Sequence, residues 1–205
     1  MLFVWITADA KEKGLHFDNT GKIIAPDQEY MWQGYKDEKD GFRDSALKNF
    51  KKAAEFGNYH AMSLVGLYML HDKDYTMAHA WLNLINLDKF PNREYMNDII
   101  KGLENLMTSD ELQKAKLAKA ELLETYGNYP ALLRREKWKK SMRFTGTRIK
   151  GHIPPHLTFT LNSGVVVNGS DAKHQVDNFV YEYEFDIGQG EVTLDDVEII
   201  EDNQN

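Results

Sequence analysis

Apolar residues recur every three or four positions through much of residues 26–142, the spacing typical of amphipathic helices. The clearest stripe lies at positions i, i+4, i+7 and i+8 of a helix that follows Phe42: Ala46, Phe50, Ala53 and Ala54. That helix ends at Gly57 and Asn58, residue types that tolerate the left-handed conformation of a helix C-terminus. A second helix over residues 59–70 follows at once, so the pattern predicts a tight helical hairpin.

Start and stop signals extend the helical prediction in both directions. Pro26 and Pro91 each favour the first position of a helix, and residues 75–87 and 130–142 repeat the helical period. Thr108 and Glu111 form a capping-box signature, which predicts a helix that ends at Gly127.

After residue 142 the pattern changes from the helical period to alternation, the pattern of half-buried strands. Strands are predicted over residues 144–149, 157–161, 165–167, 179–187 and 191–200. Asn162, Ser163 and Gly164 predict a hairpin turn between the second and third of these. The predicted fold class is therefore α+β: an N-terminal helical array followed by a small antiparallel β-sheet module.

The change of period also sets the predicted domain boundaries. Residues 1–25 form a lead-in that is polar from residue 11 onward, 26–142 a helical domain, and 143–205 a β module with a frayed acidic end. A shift of 32 residues along the chain, which we call the repeat spacing, superimposes three pairs of identical residues. They are Gly34 with Gly66, Asp40 with Asp72, and Ala46 with Ala78. Stacked helical hairpins with small residues at their crossings produce such a repeat.

The segment "ALKNFKKAAEFGNYHAMSLVGLY" resembles a Sel-one-like repeat, a relative of the tetratricopeptide repeat. The matched positions are Ala53, Ala54, Gly57, Ala61, Val65, Gly66 and Tyr68. "AHAWLNLINL" is similar to the first helix of the next repeat, with Asn86 and Lys89 in place of the usual alanine and glycine. "LMTSDELQKAKLAKAEL" is similar to the helix that often closes such arrays, so the resemblance covers residues 27–126 and implies an α-solenoid.

This resemblance implies a protein–protein interaction scaffold rather than an enzyme, with no cofactor and no metal. Bacterial members are often exported and serve in envelope assembly, host contact or toxin neutralisation. In such arrays the first helix of each pair lines the binding face. The expected partner contacts on those helices are Asn49, Lys52, Trp81 and Asn83.

Composition narrows the classes of partner. The formal charge of −7 and the pI near 5.5 argue against a general nucleic-acid or anionic-membrane binder. The chain has no cysteine, which excludes thiol catalysis and disulfides, and no apolar run approaches the roughly 18 residues of a membrane helix. The start, "MLFVWITADA", fits either the tail of a secretion signal or a short apolar segment that packs on the protein. A periplasmic or secreted protein is expected, with the cytoplasm as the alternative.

Several polar clusters define alternative functions. One alternative is a metal site around the turn at residues 71–79, and another is an enzyme site between the array and the sheet. In each case the competing interpretation is that the side chains are simply solvated. The residues concerned are His71, Asp72, Asp74 and His79 in the turn, His152 and His156 between array and sheet, and the strand carboxylates Glu182 and Glu184. Neither the spacing of the histidines nor that of the carboxylates matches an established ligand or catalytic motif.

Residues 134–150 are strongly basic, whereas the chain beyond Val176 has no lysine or arginine. Such asymmetry can mark a site for an anionic partner, whose contacts would be Arg134, Arg135, Lys139 and Lys140. The favoured interpretation is that the basic helix packs against the acidic region or is solvated.

Overall fold

In the computed structural model of the protein, the described residues are 15–144 and 147–181. They form eight α-helices, one short 3-10 helix and a two-stranded antiparallel sheet, so the α+β class is confirmed. The elements are α1 Pro26–Lys39, α2 Arg43–Ala54, α3 Tyr59–His71, α4 Tyr75–Leu82, the 3-10 helix Leu87–Lys89, α5 Arg93–Leu106, α6 Ser109–Tyr126, α7 Asn128–Ser141, β1 Thr158–Thr160, β2 Val166–Asn168 and α8 Gly169–Tyr181.

The predicted helix starts lie close to those of the structure. Pro26 is the first residue of α1, and the capping box joins the Thr108 hydroxyl to the Glu111 amide while the Glu111 carboxylate accepts from Thr108. The helix predicted over residues 75–87 is shorter, because α4 ends at Leu82. There the Asn83 side-chain amide donates to the His79 carbonyl at 2.9 Å, so it serves the last turn of the helix.

The turn from α1 to α2 and the turn from α3 to α4 have the same backbone geometry and are separated by the repeat spacing. Gly41 and Lys73 occupy equivalent positions, with φ of 82° and 63°. The same hydrogen bond closes each turn: Phe42 N–H to Asp37 O at 2.8 Å, and Asp74 N–H to Met69 O at 2.9 Å. The repeat spacing found in the sequence therefore relates two helical hairpins of the structure.

The two glycines of this repeat lie in close contact with the partner helix of each hairpin. A Cβ atom at Gly34 would lie 2.5 Å from the Phe50 ring, and one at Gly66 would lie 2.5 Å from Leu82 Cδ2. Phe50 and Leu82 are fully buried and are themselves related by the repeat spacing. The main core is formed by α1 to α6, with α4 packed against both α5 and α6.

A second apolar cluster lies in the C-terminal part and is formed by Met142, Ile153, Val167, Ala172 and Val176. The sheet beside it pairs Phe159 with Val167, which confirms the hairpin predicted between residues 157 and 167. The polar lead-in also packs on this cluster: the Phe17 ring centroid lies 5.2 Å from that of Phe159. No helix in the described residues has both the length and the apolar character needed to cross a bilayer.

The strand prediction over residues 179–187 is wrong for residues 179–181, which belong to α8. The Asn168 side chain caps this helix by accepting from the Asp171 amide at 2.9 Å. Its buried residues Ala172, Val176 and Val180 recur every four positions, a helical spacing that the alternation of aromatic residues obscured.

The strand predicted over 144–149 differs from the structure, and the one predicted over 191–200 lies outside the described residues. The strand predicted over 144–149 is wrong for its described residues, because residues 148–149 form a bend and residues 144 and 147 are in no strand. The remainder of the strand predicted over 179–187 and the one predicted over 191–200 lie outside the described residues.

Candidate functional site

A groove of about 1460 Å³ lies between the lead-in segment, α1 and α8. We call it the α1–α8 groove. Aromatic, amide and charged side chains line it, together with short apolar stretches of the lead-in. Its lining residues are His16, Asp18, Lys22, Ile23, Ile24, Ala25, Gln28, Glu29, Tyr30, Trp32, Gln33, Asn49, Gln175, Asn178 and Phe179.

Two aromatic side chains of α1 line this groove. Met31 and Gly34 face the core, so Trp32 and Gln33 point away from it. Tyr30 lies on the other flank of the helix, where its ring centroid is 6.3 Å from that of Phe56. Trp32 is 58% exposed, an unusually large apolar surface for a tryptophan. The groove therefore has a wide aromatic wall.

Hydrogen bonds to one buried carboxylate hold the amide side chains of the groove in position. Asp37 accepts from Ser45 Oγ at 2.5 Å, Asn49 Nδ2 at 2.8 Å and Gln33 Nε2 at 2.9 Å. The hydrogen bond from Ser45, supported by those from Gln33 and Asn49, lowers the pKa of Asp37 below its ordinary value. The carboxylate therefore fixes two residues of the groove while joining α1 to α2.

The lead-in is attached to the opposite wall of the groove through Gln175 of α8. Its side-chain oxygen accepts from the Ile23 amide at 2.8 Å, and its Nε2 donates to the Gly21 carbonyl at 3.0 Å. The Ser163 hydroxyl also donates to the Asn19 carbonyl at 2.9 Å. These bonds explain why a polar segment with no periodicity forms an ordered wall.

The structure does not bring the four expected partner contacts together. Asn49 lines the α1–α8 groove, whereas Lys52 lines a separate depression of about 400 Å³ and pairs with Glu55 at 2.9 Å. Asn83 bonds to His79.

The expected exposure of Trp81 is wrong, because only 2% of this residue is exposed. Its ring centroid lies 4.4 Å from that of Tyr126 on α6. α4 is covered by α5 and α6, so this tryptophan belongs to the core.

The four basic residues expected at an anionic site all make contacts within the chain. Arg134 donates to the carbonyls of Thr125 at 2.6 Å and Glu55 at 3.1 Å. Lys140 pairs with Glu136 at 2.9 Å. Lys139 pairs with Asp177 of α8 at 2.8 Å and donates to the Tyr181 hydroxyl at 3.0 Å.

Arg135 is the most buried of the basic residues and connects three parts of the fold. It donates to the Phe56 carbonyl at 2.7 Å and the Phe179 carbonyl at 2.6 Å, and its guanidinium lies 4.4 Å from the centroid of the Phe179 ring. Burial raises the pKa of the nearby Asp27, while the hydrogen bond from Asn58 and the charge of Arg135 oppose that rise.

The candidate metal-site side chains have different partners, although His71 Nδ1 lies 3.3 Å from Asp72 Oδ1. Asp72 pairs with Arg43 at 2.6 Å and Asp74 caps α4 through the Met77 amide, while His79 lies 3.2 Å from Glu104. Within residues 15–144 and 147–181 no three histidine or acidic side chains are gathered as metal ligands.

The described residues include the two histidines of the predicted enzyme site but not its two carboxylates. His152 and His156 are both exposed. Glu182 and Glu184 lie outside the described residues.

Sequence reasoning missed the α1–α8 groove because it assigned no structure to the lead-in and a strand to part of α8. One signal was present: Tyr30 and Trp32 lie off the core stripe of a helix whose other faces are polar. No protein-family model matches the chain, and neither a curated protein nor a solved structure is detectably similar to it.

Proposed function

We propose that this protein is a non-catalytic interaction scaffold that binds an extended segment of a protein partner in the α1–α8 groove. The observation that carries the proposal is the exposure of Tyr30 and Trp32 of α1 in a groove of about 1460 Å³ that residues of α8 also line. Exposed tryptophan and tyrosine are enriched where proteins bind one another, because each buries a large area at low entropic cost.

The size and chemistry of the groove favour a peptide as its occupant. Pockets for small ligands have volumes of about 300–1,000 Å³, and this groove is larger. Its amide side chains suit the N–H and C=O groups of an extended backbone. The charged residues of the groove are of both signs, Lys22 against Asp18 and Glu29, so the expected segment carries few charges and has a bulky apolar side chain for Trp32.

The repeated hairpins support the finer assignment to an α-solenoid of the Sel-one-like type. Equivalent turns and glycine contacts, related by the repeat spacing, are what a helical repeat requires. By the family resemblance we also propose a bacterial, exported protein that acts in envelope assembly, host contact or toxin neutralisation. Fractionation of the natural source distinguishes the periplasm or medium from the cytoplasm.

A displayed library of random linear peptides tests the groove as a binding site. Peptides are selected on the full chain and their affinities are measured by calorimetry on variants. The Trp32→Ala change removes the most exposed ring of the groove, and loss of such an anchor typically costs about 2 kcal/mol or more, roughly thirtyfold in Kd.

Tyr95→Ala is the matched control, because Tyr95 of α5 is a 64% exposed aromatic residue outside the groove. We expect the selected peptides to retain their affinity for it. Peptides that bind both variants as tightly as the natural chain, or a library that yields no binder, would contradict the proposal.

A further inference from the structure

The outward face of α6 carries apolar residues that its own fold does not bury. The inward face includes fully buried Ala115 and partly buried Leu112, Leu122 and Tyr126, which pack in the main core. Away from this face, Leu117 is 63% exposed and Leu123 is 44% exposed, and the two lie on either side of Ala120 around the helix. A closing helix of a repeat array normally presents a polar outer face, so these two leucines require an explanation.

The last turn of α6 is acidic where an isolated helix prefers a basic one. The first turn carries Asp110 and Glu111, as the helix dipole favours, but the last turn holds Glu124 and no basic residue. The exposed Lys116 lies about two turns before Glu124, on the same side of the helix.

We propose that α6 is the interface of a homodimer in which two copies of the helix pack antiparallel about a twofold axis at Ala120. Ala120 is exposed and lies centrally between Leu117 and Leu123 on the outer face. A small residue on the axis lets two helices approach closely. The axis then places Leu117 of one copy opposite Leu123 of the other, so both leucines of each copy become buried.

The same axis places Lys116 of one copy beside Glu124 of the other. The pair occurs twice, as an isologous interface requires. Glu124, which is unfavourable in the last turn of one helix, therefore gains a cation from the second copy.

The expected dimer dissociates on dilution. A single pair of helices buries less than the roughly 800 Å² per partner of a standard stable interface. Sedimentation equilibrium of the full chain should show a mass rising with concentration from 23.7 kDa towards twice that value. A mass of one chain from micromolar to millimolar concentrations would overturn the proposal.

Charge reversal tests the register of the pairing. Lys116→Glu alone or Glu124→Lys alone sets like charges opposite each other twice, and each change should raise the dimer Kd by about tenfold or more. An equimolar mixture of these two variants restores opposite charges at both places and should form a heterodimer. Lys101→Glu, on the exposed face of α5, is the matched control and should leave the Kd unchanged.

Cross-linking tests the position of the axis. Because the chain has no cysteine, Ala120→Cys introduces a single thiol that should meet its own copy and give a disulfide-linked dimer on mild oxidation. Asn105→Cys on α5 should stay monomeric under the same conditions. A dimer that resists both single charge reversals, a mixture that does not recover, or equal cross-linking at both positions would overturn the proposal.

Discussion

At the scale of single residues, Gly34 and Gly66 determine how closely each helical hairpin can pack. The sequence pattern predicted small residues where the two helices of a hairpin cross. Both glycines do lie against a fully buried side chain of the partner helix. Trp81 was not predictable in the same way, because the burial of α4 depends on α6, which follows only after the whole of α5.

Gly66→Ala should destabilise the protein by about 1–3 kcal/mol, the usual cost of overpacking a buried site. The added methyl group would lie 2.5 Å from Leu82 Cδ2 and 2.8 Å from its Cγ, and Leu82 is fully buried. Urea denaturation gives the change in the free energy of unfolding. Gly102→Ala is the control: a Cβ there meets nothing within 4 Å, so it should stabilise α5 by about 0.5–1 kcal/mol.

Asp37 should make the protein lose stability in acid. The hydrogen bond from Ser45 and those from Gln33 and Asn49 hold its folded-state pKa below the ordinary 3.8. The stabilisation is therefore fully present above pH 3.8 and is lost as the pH falls through the lower folded-state pKa. Urea midpoints measured from pH 7 to pH 2 should show this loss.

Two variants identify the carboxylate responsible. Asp37→Asn should remove this part of the pH dependence, and Ser45→Ala should reduce it, because Ser45 makes the largest contribution to the shift. An Asp37→Asn protein with the same acid dependence as the natural chain would show that another group is responsible.

At the scale of elements, helices with strong local signals were predictable and the C-terminal helix was not. The capping box of α6 and the proline of α1 act within a single helical turn, so sequence alone reveals them. In α8 the helical spacing of Ala172 and Val176 competes with the aromatic alternation from Phe179 onward. Packing of this segment against β2 and α7 favours the helix over the strand. Those contacts are distant in sequence, so no local pattern reveals them.

Thr108→Ala should cost about 1 kcal/mol of stability by removing the cap of α6. The Thr108 hydroxyl accepts from the Glu111 amide, and no equivalent acceptor remains after the change. Ser109→Ala, at the next position, is the control and should change the unfolding free energy by less than about 0.5 kcal/mol. Equal effects of the two substitutions would contradict the capping role.

At the scale of the whole molecule, Arg135 joins the main core to the C-terminal cluster. Its bonds to the carbonyls of Phe56 and Phe179 bridge the loop before α3 and the helix α8. The sequence showed an excess of basic residues here, but it did not show that Arg135 bonds within the chain. Its two partners lie 44 and 79 residues away in sequence, so no local pattern reveals them.

Arg135→Met should destabilise the protein by about 2–4 kcal/mol, since it leaves buried acceptors and the Asp27 carboxylate without their cation. Hydrogen exchange should show α8 and β2 losing protection before α3 does. Arg143→Met, at an exposed position, is the control and should leave both quantities unchanged. Uniform loss of protection in all helices would contradict the role of Arg135 as a connection between the two cores.

The central claim is that the α1–α8 groove binds a protein partner, and site-specific photo-cross-linking in the natural source tests it most directly. A photoreactive amino acid replaces Trp32 in one chain and Tyr95 in another, and cross-linked products are identified by mass spectrometry. The account predicts one defined protein, joined through an extended segment, from position 32 and not from position 95. The absence of any product from position 32, or the same products from both positions, would contradict it.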